Sequence, residues 1–362
     1  MSSTIRRRDL LKVAAGAAAV VAAPTILTAK KTDSPLIIGS GEHKYEVLHN
    51  WPQLPSQYSW QITHDVAFDS AGNLYVIHQG DSKLKDHPSI FVFDSDGKFI
   101  RAFGSEFQGG GHGIEVHEEN GEEFLYVTAY QHLKKFAKLS LEGGNTIWVR
   151  HAPMESGLYA KDEDKHPTGA WGRDRFMPTN ITFCPSGAGF YVADGYGAYV
   201  IHMYDQDGKY ESTIGKAGKS DGEFDLPHGV WTDARPGREP SLVVADRANN
   251  RLQWFTLEGK HLETLDGFIL PANVDTHGEL MLVPELGARV TLLDGKNKVV
   301  VRFGDDADWR EQVLQKEIRK HADQWPDGKF IHPHDACFDA HGNIFVAEWV
   351  ATGRITKLRK LS

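Results

Sequence analysis

The stretch HPHDACFDAHGNIFVAE (residues 332–348) reads as two short strands joined by a polar turn. Asp339-Ala-His-Gly-Asn343 is the turn, and the β-branched and aromatic run behind it is a strand signal. The same turn-then-strand unit stands at DSAGNLYV (69–76), PSGAGFYVAD (185–194), SLVVAD (241–246) and THGELMLV (276–283). Second turns lie between them, at Asp94-Ser-Asp-Gly-Lys98, Asp205-Gln-Asp-Gly-Lys209 and Leu257-Glu-Gly-Lys260. Units recur at roughly 45–60 residues, the period of a four-stranded propeller blade. Six segments open them: Thr63-His-Asp-Val66, Gly111-His-Gly-Ile114, Pro178-Thr-Asn-Ile181, Pro227-His-Gly-Val230, Pro271-Ala-Asn-Val274 and Pro333-His-Asp-Ala336. Six equivalent starts predict an all-β chain, a six-bladed β-propeller over residues 51–362. A short helical insertion is expected before the last blade, where Trp309, Val313 and Ile318 keep helical spacing.

Composition agrees with a turn-rich globular domain. The 362 residues include 36 glycines and 2 cysteines, with 25% charged and 40% hydrophobic residues. A net charge of −9 argues against nucleic acid, whose phosphates need a basic patch. Residues 1–29 run from a basic start through an Ala/Val-rich stretch to Leu27-Thr28-Ala29, the order of an export signal. Arg7-Arg8-Asp9-Leu10-Leu11-Lys12 resembles a bacterial twin-arginine signal, an address rather than an anchor. Pro24 interrupts a run already shorter than the ~20 apolar residues of a spanning helix, so no stable membrane anchor is expected. The segment carries Arg6, Arg7, Arg8 and Lys12 against Asp9, so a chain cut after Ala29 has a net charge of −12. Residues 30–50 read as a linker. Cys184 and Cys337 fall in different units at offset positions and predict no disulfide.

Aligning the six starts gives the opening stretch a function. Their second residues are His64, His112, Thr179, His228, Ala272 and His334, all at one level beside the channel. A single histidine there would be read as a polar channel residue bonding water. Histidines in blades two, four and six instead mark alternate corners of a ring, a three-imidazole metal site with one face open. His332 and His64 are candidate fourth nitrogens. The exit loops of the second strands return to the same face, so Tyr196 and Arg247 are expected to face the metal. Two long connections, 151–176 and 305–330, open there too, and the second is expected to cap the channel. The charged run Lys161–Lys165 reads as a solvated segment.

With those residues placed, the chain resembles the NHL-repeat propellers, and among them the peptidyl-α-hydroxyglycine α-amidating lyases, over roughly residues 60–360. The stretches that carry the resemblance are HQGD, HGI, MPTNITFCPSGAGFYVADGY, FDLPHGV, VADRANNRLQWF and HPHDACFDAHGNIFVAE. It implies zinc on His112, His228 and His334, and calcium held by Asp335 with the carbonyls of Val66 and Ile114. It also implies an acid/base role for Tyr196 and a lining role for Arg247. The chain departs from that family at Gln79, where the family has arginine, at His332, where it has methionine, and at His64, where it has a small residue. The family's disulfide cysteines are absent, and imidazole suits iron as well as zinc.

The reaction this implies is cleavage of a carbinolamine C–N bond in a small-molecule or peptide-derived substrate, by an exported monomer. Two other classes stay open: an NHL propeller that binds a protein or glycan without catalysis, and a calcium-dependent lactonase-type propeller. The latter needs carboxylates and asparagine in the channel. Asn180 and Asn273 are near, but strand alternation is expected to turn them away.

Overall fold

Leu74–His78 shows how the sequence builds a blade. Leu74 and Val76 pack with Phe345 and Ile355 on one face, while Tyr75 and Ile77 pack with Leu125 and Val127 on the other. The strand is buried on both sides, so the two-residue alternation divides it between two apolar interfaces. The computed structural model describes residues 34–315 and 317–361. The expected signal at 1–29 lies outside the described residues. Among the described residues, no helix is long and apolar enough to cross a membrane.

Six antiparallel sheets follow one another around a channel. Blade one is Thr63–Phe68, Leu74–His78, Ile90–Phe93 and Phe99–Phe103, and blade two runs from Gly111–Glu119 to Thr146–Arg150. Blade three begins at Asn180–Phe183 and Gly189–Asp194, blade four at Pro227–Asp233 and Ser241–Asp246, and blade five at Asp275–His277 and Leu280–Glu285. Blade six is Pro333–Phe338, Ile344–Glu348 and Arg354–Lys360. Each neighbouring pair of blades shares one buried apolar cluster, so the core is a ring of six interfaces. The expected six-bladed propeller is the observed fold.

The expected linker is a correction. His43–Leu48 pairs antiparallel with Arg354–Lys360, and Ile37–Ser40 adds a fifth strand outside it. Blade six takes three strands from residues 333–360, and an open edge on Arg354–Lys360 would leave unpaired backbone groups. The N-terminal strand supplies the missing edge and closes the ring.

The helical insertion is present but shorter than its periodicity: a helix at Ala307–Leu314, then 3-10 turns at Glu317–Lys320 and Ala322–Gln324. Asp306 caps the helix by accepting the Trp309 N–H at 3.0 Å. Trp309 and Val313 are buried against Ile331 and Val350, fastening the insertion over blade six. The other insertion holds a second correction. Glu163, within the run expected to be solvated, is buried and accepts from Lys134 Nζ at 2.6 Å and Arg175 Nη1 at 2.8 Å. The two cations supply the pairing that a buried carboxylate needs.

Candidate metal centre

The site is built at the lip of the channel, where each blade's inner strand begins. In blades one, two, four and six the pairing with the second strand shifts register at that point. A bulge of this kind adds a residue to one strand and re-aims its side chains. Consecutive residues therefore serve the channel in two stacked layers, histidine above and a polar ring below. The expectation that Asn180 and Asn273, the corresponding residues of blades three and five, turn away fails. Asn180 Nδ2 donates to Asp65 at 3.3 Å, and Asn273 Nδ2 to Asp335 at 2.6 Å. Gly229 makes room for this ring: a Cβ there would stand 2.4 Å from Asn273 Oδ1.

In the upper layer the rings of His64, His112, His228 and His334 pack together, with neighbouring centroids 4.5 to 5.0 Å apart. His112 donates through Nδ1 to the Thr179 carbonyl at 2.6 Å, His228 to Ala272 at 2.7 Å and His334 to His64 at 2.7 Å. Each even-numbered blade thus leans its histidine on the carbonyl of the next blade. That bond fixes the tautomer and leaves every Nε2 as a lone pair, the arrangement that orients imidazoles toward a metal. His112 Nε2 and His228 Nε2 stand 3.1 Å apart. Two nitrogens on a tetrahedral zinc at 2.0–2.1 Å would be about 3.3 Å apart. Tyr196 Oη is 3.1 Å from His228 Nε2 and 3.4 Å from His112 Nε2, but its single proton can serve only one of them. The donor set fits a cation.

Burial keeps these imidazoles neutral, as ligands must be. It lowers the His112 pKa to about 3, and those of His228 and His334 well below the usual 6.5, with Arg247 adding to the effect on all three. His64 is depressed too, by burial and then by His112. Ring nitrogens of His64, His112 and His334 lie within 4.8 Å of one another, so these three buried histidines could also hold an ion. His112, His228 and His334 are instead the three whose Nδ1 each meets a neighbouring blade's carbonyl. Neither nitrogen of His64 meets a neighbouring blade's carbonyl in this way, although the Gln79 side chain is near enough to raise its pKa.

The other expected residues divide clearly. Tyr196 reaches the cluster from the exit of blade three, and Arg247 Nη2 donates to its hydroxyl at 2.9 Å. The loop is held by Asp194, which accepts from Met177 N–H at 2.7 Å and Ala198 N–H at 2.6 Å. A Cβ on Gly197 would stand 2.0 Å from Asp194 Oδ1, so the tyrosine needs that glycine beside it. Tyr159, from the 151–176 insertion, donates to the same carboxylate at 2.8 Å. Burial raises the Asp194 pKa to about 6 against these three donors. His332 is not brought into the ring: its Nδ1 donates to the Leu286 carbonyl at 2.9 Å, and it packs on Trp349.

Asp335 lies below the histidines, paired with Asp65 of the neighbouring blade, and burial raises both pKa values. Val66 N–H donates to Asp65 at 2.8 Å and to Asp335 at 3.0 Å, and Ile114 N–H to Asp65 at 3.3 Å. Val66 and Ile114 thus meet the acidic pair through their amides.

Three residues at the mouth were not anticipated. Tyr130 packs on His112 and Tyr196 and donates to Gln79 Oε1 at 3.0 Å. Trp171 lies against Tyr196, and Trp349 against His332. Tyr130 and Trp349 each follow a second strand, so the exit-loop rule that found Tyr196 would have found both if carried around the ring. Tyr196, Arg247, His334, Trp349 and Leu314 of the insertion share one cleft of about 250 Å³.

No family model matches the chain. Peptidylglycine alpha-amidating monooxygenase of Rattus norvegicus is 25% identical over 343 residues, covering 85% of this chain. NHL repeat-containing protein 3 of Mus musculus is 30% identical over 214 residues, 57% of this chain and 54% of that protein. The chain is a propeller similar to both. It spans 31% of the monooxygenase's length. Among solved structures, a streptogramin B lyase at 12% identity superposes with a TM-score of 0.53 over 87% of this chain and 97% of its own. Virginiamycin B lyase from Staphylococcus aureus, at 13% identity, gives 0.52 over 88% and 100%. At those identities the solved structures show the fold alone.

Proposed function

We propose that the chain is an exported, metal-dependent lyase that breaks a carbinolamine C–N bond, with His112, His228 and His334 as its metal ligands. The observation that carries this reading is the trio of Nδ1-tethered imidazoles packed ring against ring, two of which, His112 and His228, present Nε2 to each other and to Tyr196 Oη. Similarity to amidating monooxygenases supports it. A zinc or iron ion held there supplies a Lewis acid for a substrate oxygen.

The protein's own groups account for the proton. In the reaction the substrate hydroxyl loses its proton, the C–O bond becomes a carbonyl as the C–N bond breaks, and the nitrogen takes up a proton. An N-acyl-α-hydroxyglycine would give an amide and glyoxylate. Tyr196 Oη, held by Arg247, is the group placed to move that proton. Trp171 and Tyr130 wall this side of the mouth and restrict water around the reacting bond. The reading keeps calcium as a second ion beside Asp335, detectable in the same elemental analysis as the first.

Zinc-loaded protein given N-benzoyl-α-hydroxyglycine should release glyoxylate, stop when a chelator is added, and slow by roughly 100-fold in Tyr196→Phe. A metal-loaded protein that releases none from acyl or short-peptide α-hydroxyglycines contradicts the lyase reading and favours a binding propeller. Export rests on the order of residues 1–29. Lysine at both Arg7 and Arg8 should leave the protein in the cytoplasmic fraction, and undiminished export would contradict the twin-arginine route.

A further inference from the structure

At the channel mouth a guanidinium nitrogen of Arg319 lacks an acceptor among the described residues. Arg319 belongs to the 3-10 turn Glu317–Lys320 of the insertion, and its guanidinium stacks on Trp349 with 3.5 Å from Cζ to the ring centroid. Its Nη1 is buried and makes no hydrogen bond among the described residues. The backbone there is pinned, because the Arg319 carbonyl accepts the Ala351 N–H at 3.3 Å. The acid on its own turn, Glu317, is exposed and accepts from Lys320 Nζ at 3.0 Å. A guanidinium carries five donors and no acceptor, so a buried, unmet N–H is unfavourable until an acceptor reaches it.

The surroundings say what kind of acceptor fits. Trp349 is also a wall of the cleft above His334, which Leu270, Leu286 and Leu314 make largely apolar. Arg247 stands in that cleft beside Tyr196. Two guanidiniums near one apolar cleft suit an anion that carries an apolar group. Stacking on Trp349 holds the Arg319 fork in a fixed plane, the form in which guanidinium grips a carboxylate.

We infer that Arg319 is a specificity residue, binding the carboxylate of a substrate whose apolar group fills the leucine-lined cleft. The inference rests on the proposed site for its location and extends it to a substrate class. It gives the insertion a task beyond covering blade six, because the same segment supplies both Leu314 and the charge.

The test is calorimetric titration of 4-phenylbutanoate and 4-phenylbutanamide into wild type, Arg319→Gln and Arg319→Lys, with and without zinc. Wild type should prefer the carboxylate by about tenfold, the scale of one charge-assisted contact. Arg319→Gln should lose that preference while binding the amide as wild type does, which also shows that it is folded. Arg319→Lys should keep part of it. The preference should persist in zinc-free protein, so failure of the metal reading would appear in zinc content and leave this result standing. A wild type that does not distinguish the two probes, or an Arg319→Gln that keeps the full preference, overturns the inference.

Discussion

Alanine at His228 is expected to abolish stoichiometric metal binding, and glyoxylate release with it. The same holds for His112 and His334. Each of these rings spends its Nδ1 on a neighbouring blade's carbonyl and presents Nε2 toward the axis. Removing one deletes a preset ligand, so affinity should fall by more than the roughly 10–100-fold lost with an outer-shell partner. His64→Ala is the contrasting case. Its ring meets no backbone carbonyl, while the part of residue 64 that holds His334 is a backbone carbonyl, which alanine retains. That variant should keep about one transition metal per chain. Competition against a chelator of known affinity, run across the four variants, separates the two histidine sets. Loss of metal in His64→Ala with retention in His228→Ala would move the site to His64, His112 and His334.

The largest effect on folding is expected at the strand that closes the ring. A chain that starts at Ser34 should fold, whereas removing residues 34–50 from it should give aggregated protein. The cut strips His43–Leu48 from Arg354–Lys360 and bares that edge. It also removes Tyr45 and Val47 from the cluster between blades five and six. Tyr45 alone is fully buried, with its ring edge-on to Phe303 at 5.3 Å. Tyr45→Ala should therefore cost roughly 3–5 kcal/mol, the range for deleting a buried aromatic ring. Chemical denaturation of the full chain reads this directly. A soluble, cooperatively unfolding chain without residues 34–50 would show that three strands suffice for blade six.

The fold was legible because each blade repeats a local chemistry. A polar turn such as Asp339-Ala-His-Gly-Asn343 and the strand behind it need no distant partner to be recognised. The histidine ring was legible for the same reason, since aligned starts put His112, His228 and His334 at one height. What depended on distant partners was not. Residues 37–48 carry a local Gly39-Ser40-Gly41 turn, but their place in the ring is set by pairing with Arg354–Lys360, far along the chain. Glu163 sits in a run of charges, and its burial is set by Lys134 and Arg175. Asn180 and Asn273 were placed by an ideal alternation, whereas their side chains reach Asp65 and Asp335. The carbonyls of Thr179, Ala272 and His64, which fix the tautomers, carry no side-chain signal at all.

The measurement that bears most directly on this account is elemental mass spectrometry of signal-free wild-type protein purified without chelator. The account predicts about one zinc or iron per chain, released when the protein is treated with a strong chelator. Protein carrying no stoichiometric transition metal, and taking none up on exposure to zinc or iron, would contradict it.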